Sequence, residues 1–252
     1  MLQSIKMSGR KMKVLVPTDF SGSGVNAAAF AIKLFDKKTD EIILENVFQI
    51  PKENKGTLVS IDDIISNESK LLLEKERRHL KAEYKNANVT VQSEEGNVVS
   101  TIKNAIKKKG ISLLVIGLQK QVSSLSKVTS AFIEQPQYWP MLTVPLKPLN
   151  KSKEIVIVIS ENSQSDNSKD LTDYLRNIDL YESAIHRLQF SIKEGIEHLK
   201  SKIDALLKKH KVGIIVFDTN KADLLQKTII EHKMDNILLS IPALLIQHNG
   251  QQ

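Results

Sequence analysis

The chain predicts an α/β fold of two tandem five-stranded parallel-sheet domains, the second of them shortened. Three observations carry this. The second half reads as an eroded copy of the first: Leu113-Leu114-Val115-Ile116-Gly117 parallels Ile214-Ile215-Val216-Phe217-Asp218, and Pro140-Met141-Leu142-Thr143-Val144 parallels Pro242-Ala243-Leu244-Leu245-Ile246, each pair about 100 residues apart. The opening strands, 13–19 and 154–160, also match in kind, but lie about 40 residues further apart, so the second copy has lost that much. Finally, apolar runs alternate with helical patterns and are continuous rather than alternating, as strands buried on both faces of a parallel sheet are. The repeat places the domains at 1–148 and 154–249, with 149–153 as the linker.

In order, 14–17 is a short apolar run bounded by turn residues, hence a buried strand. Ser21-Gly22-Ser23-Gly24 leads into a helix over 25–35, with alanines and apolar residues at helical spacing. A strand at 41–48 and a loop at 51–56 follow, then a long charged amphipathic helix over 62–84. That helix carries a leucine stripe (Leu71, Leu72, Leu73, Leu80) beneath a solvated Lys/Glu/Arg face. A short strand at 89–92 precedes a helix over 98–108 with Val99, Ile102 and Ile106 on one face. A strand at 113–116, a helix at 123–134 and a strand at 142–144 close the first copy. In the second copy the strands are 155–159, 184–190, 213–217 and 243–247. Its helices are a short one near 171–176, a clear one over 196–209 and one over 222–232, with a polar loop at 161–168. The lost residues fall in the region of the first copy's second strand and long helix. A sheet so truncated needs cover, and the other copy or another chain is the natural source.

Composition excludes several functions. With no cysteine there is no disulfide, thiolate metal site or cysteine nucleophile. No run approaches ~18 apolar residues, so no membrane span is expected, and the expected location is the cytoplasm. The net charge of +7 raises the question of nucleic acid. The densest basic runs, Lys107-Lys108-Lys109 and Lys208-Lys209-His210-Lys211, each end a helix just before a strand, where cations complement the helix dipole. Aromatic residues at 5% are too few for base-stacking platforms, so a nucleic-acid partner is not favoured. The six histidines form no pair at i, i+3 or i, i+4, which argues against a metal site. There is no Gly-x-Ser-x-Gly elbow, no Walker sequence and no evident general base, so no catalytic residue is assigned.

In parallel α/β sheets, ligands bind beyond the carboxyl ends of the strands. Pro17-Thr18-Asp19, Gly117-Leu118-Gln119-Lys120 and the segment near Ser130 would gather there. An acid at a strand end can accept hydrogen bonds from a ribose or an adenine, and a glycine-bearing loop entering a helix can cradle phosphates. Structural roles compete: Asp19 as a helix cap and Gly117 as the end of a strand.

Val16-Pro17-Thr18-Asp19-Phe20-Ser21, Leu114-Val115-Ile116-Gly117 and Pro140-Met141-Leu142-Thr143-Val144-Pro145, in this order and spacing, resemble the universal stress protein family. The likeness covers 13–146 well and 154–247 weakly, as in tandem members with two such domains. It implies an adenine nucleotide alpha hydrolase-like sandwich of five parallel strands, stress-linked regulation and dimers packed through the last strands. It further implies that nucleotide-binding members hold ATP with an acid after the first strand and a Gly-x2-Gly-x9-Gly-Ser/Thr loop after the fourth. Asp19 matches the acid and Gly117 the first glycine, but Lys120 stands at the second glycine, Ser130 at the third and Ala131 at the hydroxyl position. Side chains there obstruct the close approach of backbone amides to phosphate, although the Lys120 ammonium could pair with one. In the second copy Ser160 replaces the acid and Asp218 the first glycine, where a carboxylate repels phosphate.

The reading is a non-catalytic stress-response or regulatory protein of the tandem type with lost or weakened ATP binding. Asp19, Gly117, Lys120 and Ser130 are the candidate ATP contacts. No metal is expected, and ATP is the one cofactor the resemblance offers. Pairing of the two repeats within the chain is expected, with a homodimer or a protein partner as further options. One alternative is an ATP-binding switch or weak ATPase using the first domain. Another is a basic, salt-sensitive nucleic-acid-associated protein.

Overall fold

The computed structural model describes residues 12–35, 39–50, 61–118, 132, 140–147, 155–161, 175, 184–190, 196–219 and 240–247. The chain divides into two compact units, Met12–Gly117 and the residues from Leu118 on.

In the first unit, β1 (Met12–Pro17), β2 (Thr39–Phe48), β3 (Val89–Glu95) and β4 (Leu113–Leu118) form a parallel sheet in the order β3-β2-β1-β4. Val14, Leu15 and Val16 of β1 are all fully buried, so this strand has cover on both faces, as its unbroken apolar run requires. Helix α1 (Ser23–Phe35) packs on β1 and β2, α2 (Ile61–Glu83) on β2 and β3, and α3 (Val98–Lys109) on β2.

Several boundaries differ from expectation for local reasons. β3 runs to Glu95 rather than ending at Gln92, because Ser93, Glu94 and Glu95 continue the ladder opposite Asn46, Val47 and Phe48. Strand pairing here overrides the weak β propensity of Ser-Glu-Glu. α3 begins where the Asn97 side chain accepts a hydrogen bond from the Ser100 amide at 3.2 Å, and ends at Gly110 in the left-handed region (φ 64°). Lys107, Lys108 and Lys109 fill its last turn, beside the negative end of the helix dipole. In α2 the leucine stripe is narrower than expected. Leu73 and Leu80, one heptad apart, are buried, whereas Leu71 is 70% exposed.

In the second unit, β5 (Met141–Pro145), β6 (Ile155–Glu161), β7 (Ala184–Phe190), β8 (Ile214–Thr219) and β9 (Ala243–Gln247) follow the order β5-β9-β8-β6-β7. β6, β7, β8 and β9 pair in parallel, and β5 runs antiparallel to β9, with Met141 opposite Leu245 and Thr143 opposite Ala243. Joining β5 and β9 covers edges that would otherwise offer unpaired amides and carbonyls. Helix α4 (Ile196–Lys209) buries Leu199 and Ile203. Tertiary structure also creates a histidine pair with no local sequence signal: the rings of His186 and His210 lie 4.6 Å apart. Among the described residues, no group of three or more His, Cys, Asp or Glu is arranged to hold a metal, and no helix is long and apolar enough to cross a membrane. The expected loops at 51–56 and 162–168, the linker and the helices at 123–134 and 222–232 lie outside the described residues, apart from helical Phe132; of 171–176 only Leu175 is described, and it is helical and buried.

The leucines of α2 give a contrast within one helix. Leu73→Ala and Leu80→Ala should each cost about 2–5 kcal/mol, whereas Leu71→Ala should stay within about 0.5 kcal/mol. Urea titration of the three variants measures the difference.

Candidate functional site at the end of the first strand

The carboxyl end of the first sheet is organised around Thr18, the residue after β1. All four of its polar functions are engaged. Its amide donates to the Glu45 carbonyl at 2.9 Å. Its carbonyl accepts from the Asn46 side-chain amide at 2.8 Å. Its hydroxyl donates to Glu76 Oε1 at 3.3 Å and accepts from the Phe20 amide at 3.1 Å. These contacts tie the loop to β2 and to α2 together.

The tie extends inward. Ser69 Oγ on α2 donates to Asn46 Oδ1 at 2.8 Å and lies 2.6 Å from Ser93 Oγ on β3. Ser69 has one hydroxyl proton and it goes to Asn46, so Ser93 donates to Ser69. Asn46, Ser69 and Ser93 thus form a satisfied polar chain with Asn46 and Ser69 buried, and burial without partners would be costly. In the sequence, α2 reads as a solvated face over leucines. The missed signal is that Ser69, Leu73, Glu76 and Leu80 follow helical spacing on one face, so two polar residues stand in the core stripe.

Beyond Thr18 the chain turns sharply into α1. Asp19 is exposed, and its Oδ1 accepts from the Ser21 amide at 3.1 Å and from the Ser21 hydroxyl. This side-chain turn accompanies a left-handed Phe20 (φ 64°), a conformation that costs a non-glycine residue about 1–2 kcal/mol. The Ser21 proton points to Asp19, so the hydrogen bond with Ser23 Oγ at 3.0 Å runs from Ser23 to Ser21. Asp19 therefore does shape the turn, the structural role set beside its ligand role.

Close approach explains two glycines. A Cβ on Gly24 would lie 2.6 Å from Thr18 Oγ1, and one on Gly117 would lie 2.2 Å from the Ser23 carbonyl oxygen. The first turn of α1 is seated directly on the ends of β1 and β4. Asp19 and Gly117 are brought to this same turn, while Lys120 and Ser130 lie outside the described residues. The structure gives Gly117 a packing role where the sequence pattern places a phosphate contact.

Two carboxyl groups mark the site. Burial raises the pKa of Glu76 above the usual carboxylate range, the Thr18 hydroxyl opposes that, and the Asp19 charge adds to it. Two adjacent acids favour ligand groups that donate hydrogen bonds, such as hydroxyls and amines, over phosphate oxygens. In the second unit, Ser160 and Asp218 are register partners near the ends of β6 and β8, so a carboxylate lies near the end of β8.

The universal stress protein family model matches residues 12–132. Among solved structures, the fold is similar to that of a universal stress protein from Archaeoglobus fulgidus DSM 4304, with TM-score 0.63 and 14% identity, covering 96% of this chain and 98% of that one. It is also similar to a functionally unknown protein from Pseudomonas aeruginosa PAO1, with TM-score 0.53 and 10% identity, covering 96% of this chain and 94% of that one. No curated protein matches the chain. At these identities the structural likeness is one of fold.

The glycine contacts predict that Gly117→Ala forces the first turn of α1 away from β4 and destabilises the unit by about 1–3 kcal/mol, the range for overpacking. Thermal denaturation would register it. An unchanged melting temperature would mean that Ser23 and Gly117 do not meet as described.

Proposed function

We propose that the chain, whose residues 12–132 match the universal stress protein family model, is a non-catalytic stress-response regulator whose ATP binding is lost or weakened. The observation that carries this is the occupation of the strand end by its own structure. The Asp19 carboxylate is turned back onto Ser21, Gly117 is filled by the approach of Ser23, and Glu76 adds a second carboxyl. Such a site retains acceptors for hydroxyl or amine donors but offers little to a polyphosphate. Lys120 and Ser130, at the remaining loop positions, carry side chains where the nucleotide-binding pattern has glycines. On this reading the protein acts in the cytoplasm through binding, with a protein partner or a second copy of the chain as its target.

The repeat is read as two copies, at 1–148 and 154–249, whose closing strands join. The antiparallel register of β5 with β9 supports this pairing. Ser160 and Asp218 at the strand ends support loss of the ligand site in the second copy.

Native mass spectrometry of freshly purified protein, followed by calorimetry with ATP and magnesium, tests the proposal. The expected result is no retained nucleotide and no heat at millimolar ATP. One nucleotide per chain, lost on Asp19→Ala, would replace this reading with an ATP-binding switch that uses the first copy.

A further inference from the structure

Glu45 lies within β2, between Pro17 of β1 and Gln92 of β3 in the ladder. Strand alternation puts its side chain on the opposite sheet face from Asn46, and Asn46 faces α2 through Ser69. Glu45 is therefore on the α3 side. It has 0% exposure, and among the described residues neither carboxyl oxygen has a hydrogen-bond partner. A carboxylate in that position would be desolvated without compensation, which is far costlier than burying the neutral acid.

The charged groups around it do not correct this. From β3, Glu94 adds a like charge; from α3, the Lys109 ammonium opposes it; its β1 neighbour Pro17 carries no charge. Burial first, and Glu94 second, push the Glu45 pKa up to about 7, with Lys109 acting in the other direction. The main chain of the same residue reaches the candidate site, because the Glu45 carbonyl accepts the Thr18 amide at 2.9 Å. Any displacement of β2 at Glu45 acts directly on the residue that anchors the loop.

We propose that Glu45 is a proton-binding switch built into the sheet: protonated, it lets β2 seat tightly beneath α3 and hold the Thr18–Asp19 loop, and its ionisation loosens both. The sign follows from the raised proton affinity of the folded state. Relative to an ordinary carboxyl with a pKa of 4.5, the stabilising effect of the bound proton is complete below 4.5 and is lost as the pH rises through about 7. The loop is thus firmest in mildly acidic conditions. Because the device needs no ligand at the site, it stands or falls separately from the ATP reading.

The test is made on the full chain. Carboxyl carbon NMR, with Glu45→Gln used to assign the resonance, should show Glu45 titrating near neutrality; a midpoint in the ordinary carboxylate range overturns the proposal. Hydrogen-exchange mass spectrometry at pH 5 and pH 8, corrected for intrinsic rates, should show peptides from β1, its loop and β2 losing protection at the higher pH. The change in opening equilibrium should be on the order of a hundredfold, since each unit of pKa difference is tenfold. Glu45→Gln and the apolar Glu45→Leu should both remove that difference. If either folded variant keeps the wild-type pH response, the switch does not reside at Glu45. If both fail to fold, the wild-type NMR titration alone decides.

Discussion

Thr18 joins three elements of the first unit through hydrogen bonds: β2 through its amide and carbonyl, α2 through Glu76, and its own loop through Phe20. A parallel sheet needs its strand ends tied to the helices that cross over it, because successive strands are not joined by tight turns. Here one buried threonine supplies much of that connection. The depth of the tie comes from Asn46, Ser69 and Ser93, which carry it from the loop to the outer strand. Such a buried polar chain holds one arrangement well because any rearrangement would strand unpaired polar atoms away from water.

The same anchor explains why the loop beyond it accepts an unfavourable backbone. Phe20 is left-handed, and the Asp19 carboxylate gathers both the amide and the hydroxyl of Ser21 around it. The first turn of α1 then sits so close to the sheet that Gly24 and Gly117 have no room for a side chain. A loop built this way is preorganised, but its acceptors and its glycine are already employed in holding it. That is the physical basis for reading the site as a recognition element rather than a phosphate grip.

The acids of the unit occupy different environments and behave differently. Asp19 is exposed and partnered. Glu76 is half-buried with one oxygen bonded to Thr18. Glu45 is buried with neither oxygen bonded among the described residues. In sequence they are three carboxylates near strand ends or on an amphipathic helix. Burial without hydrogen bonds penalises the ionised form most, which sets Glu45 apart from the other two.

By itself the sequence determined the class of fold. Unbroken apolar runs such as Val14-Leu15-Val16 have to be covered on both faces, and regular helical spacing between them leaves a parallel sheet as the arrangement that does so. It also pointed to the candidate acid at the end of β1, because that acid is written in local order. Tertiary structure decided what local order cannot hold. Ser69 and Glu76 became site residues only when α2 met β1 and β2. Gly117 acquired its packing role from Ser23, which is distant in sequence. β3 lengthened because β2 offered a ladder, β5 found an antiparallel partner in the distant β9, and His186 met His210 only across a folded unit. Spacing along a chain encodes periodicity and turns, whereas burial and hydrogen-bond partners depend on which distant segments arrive at the same place.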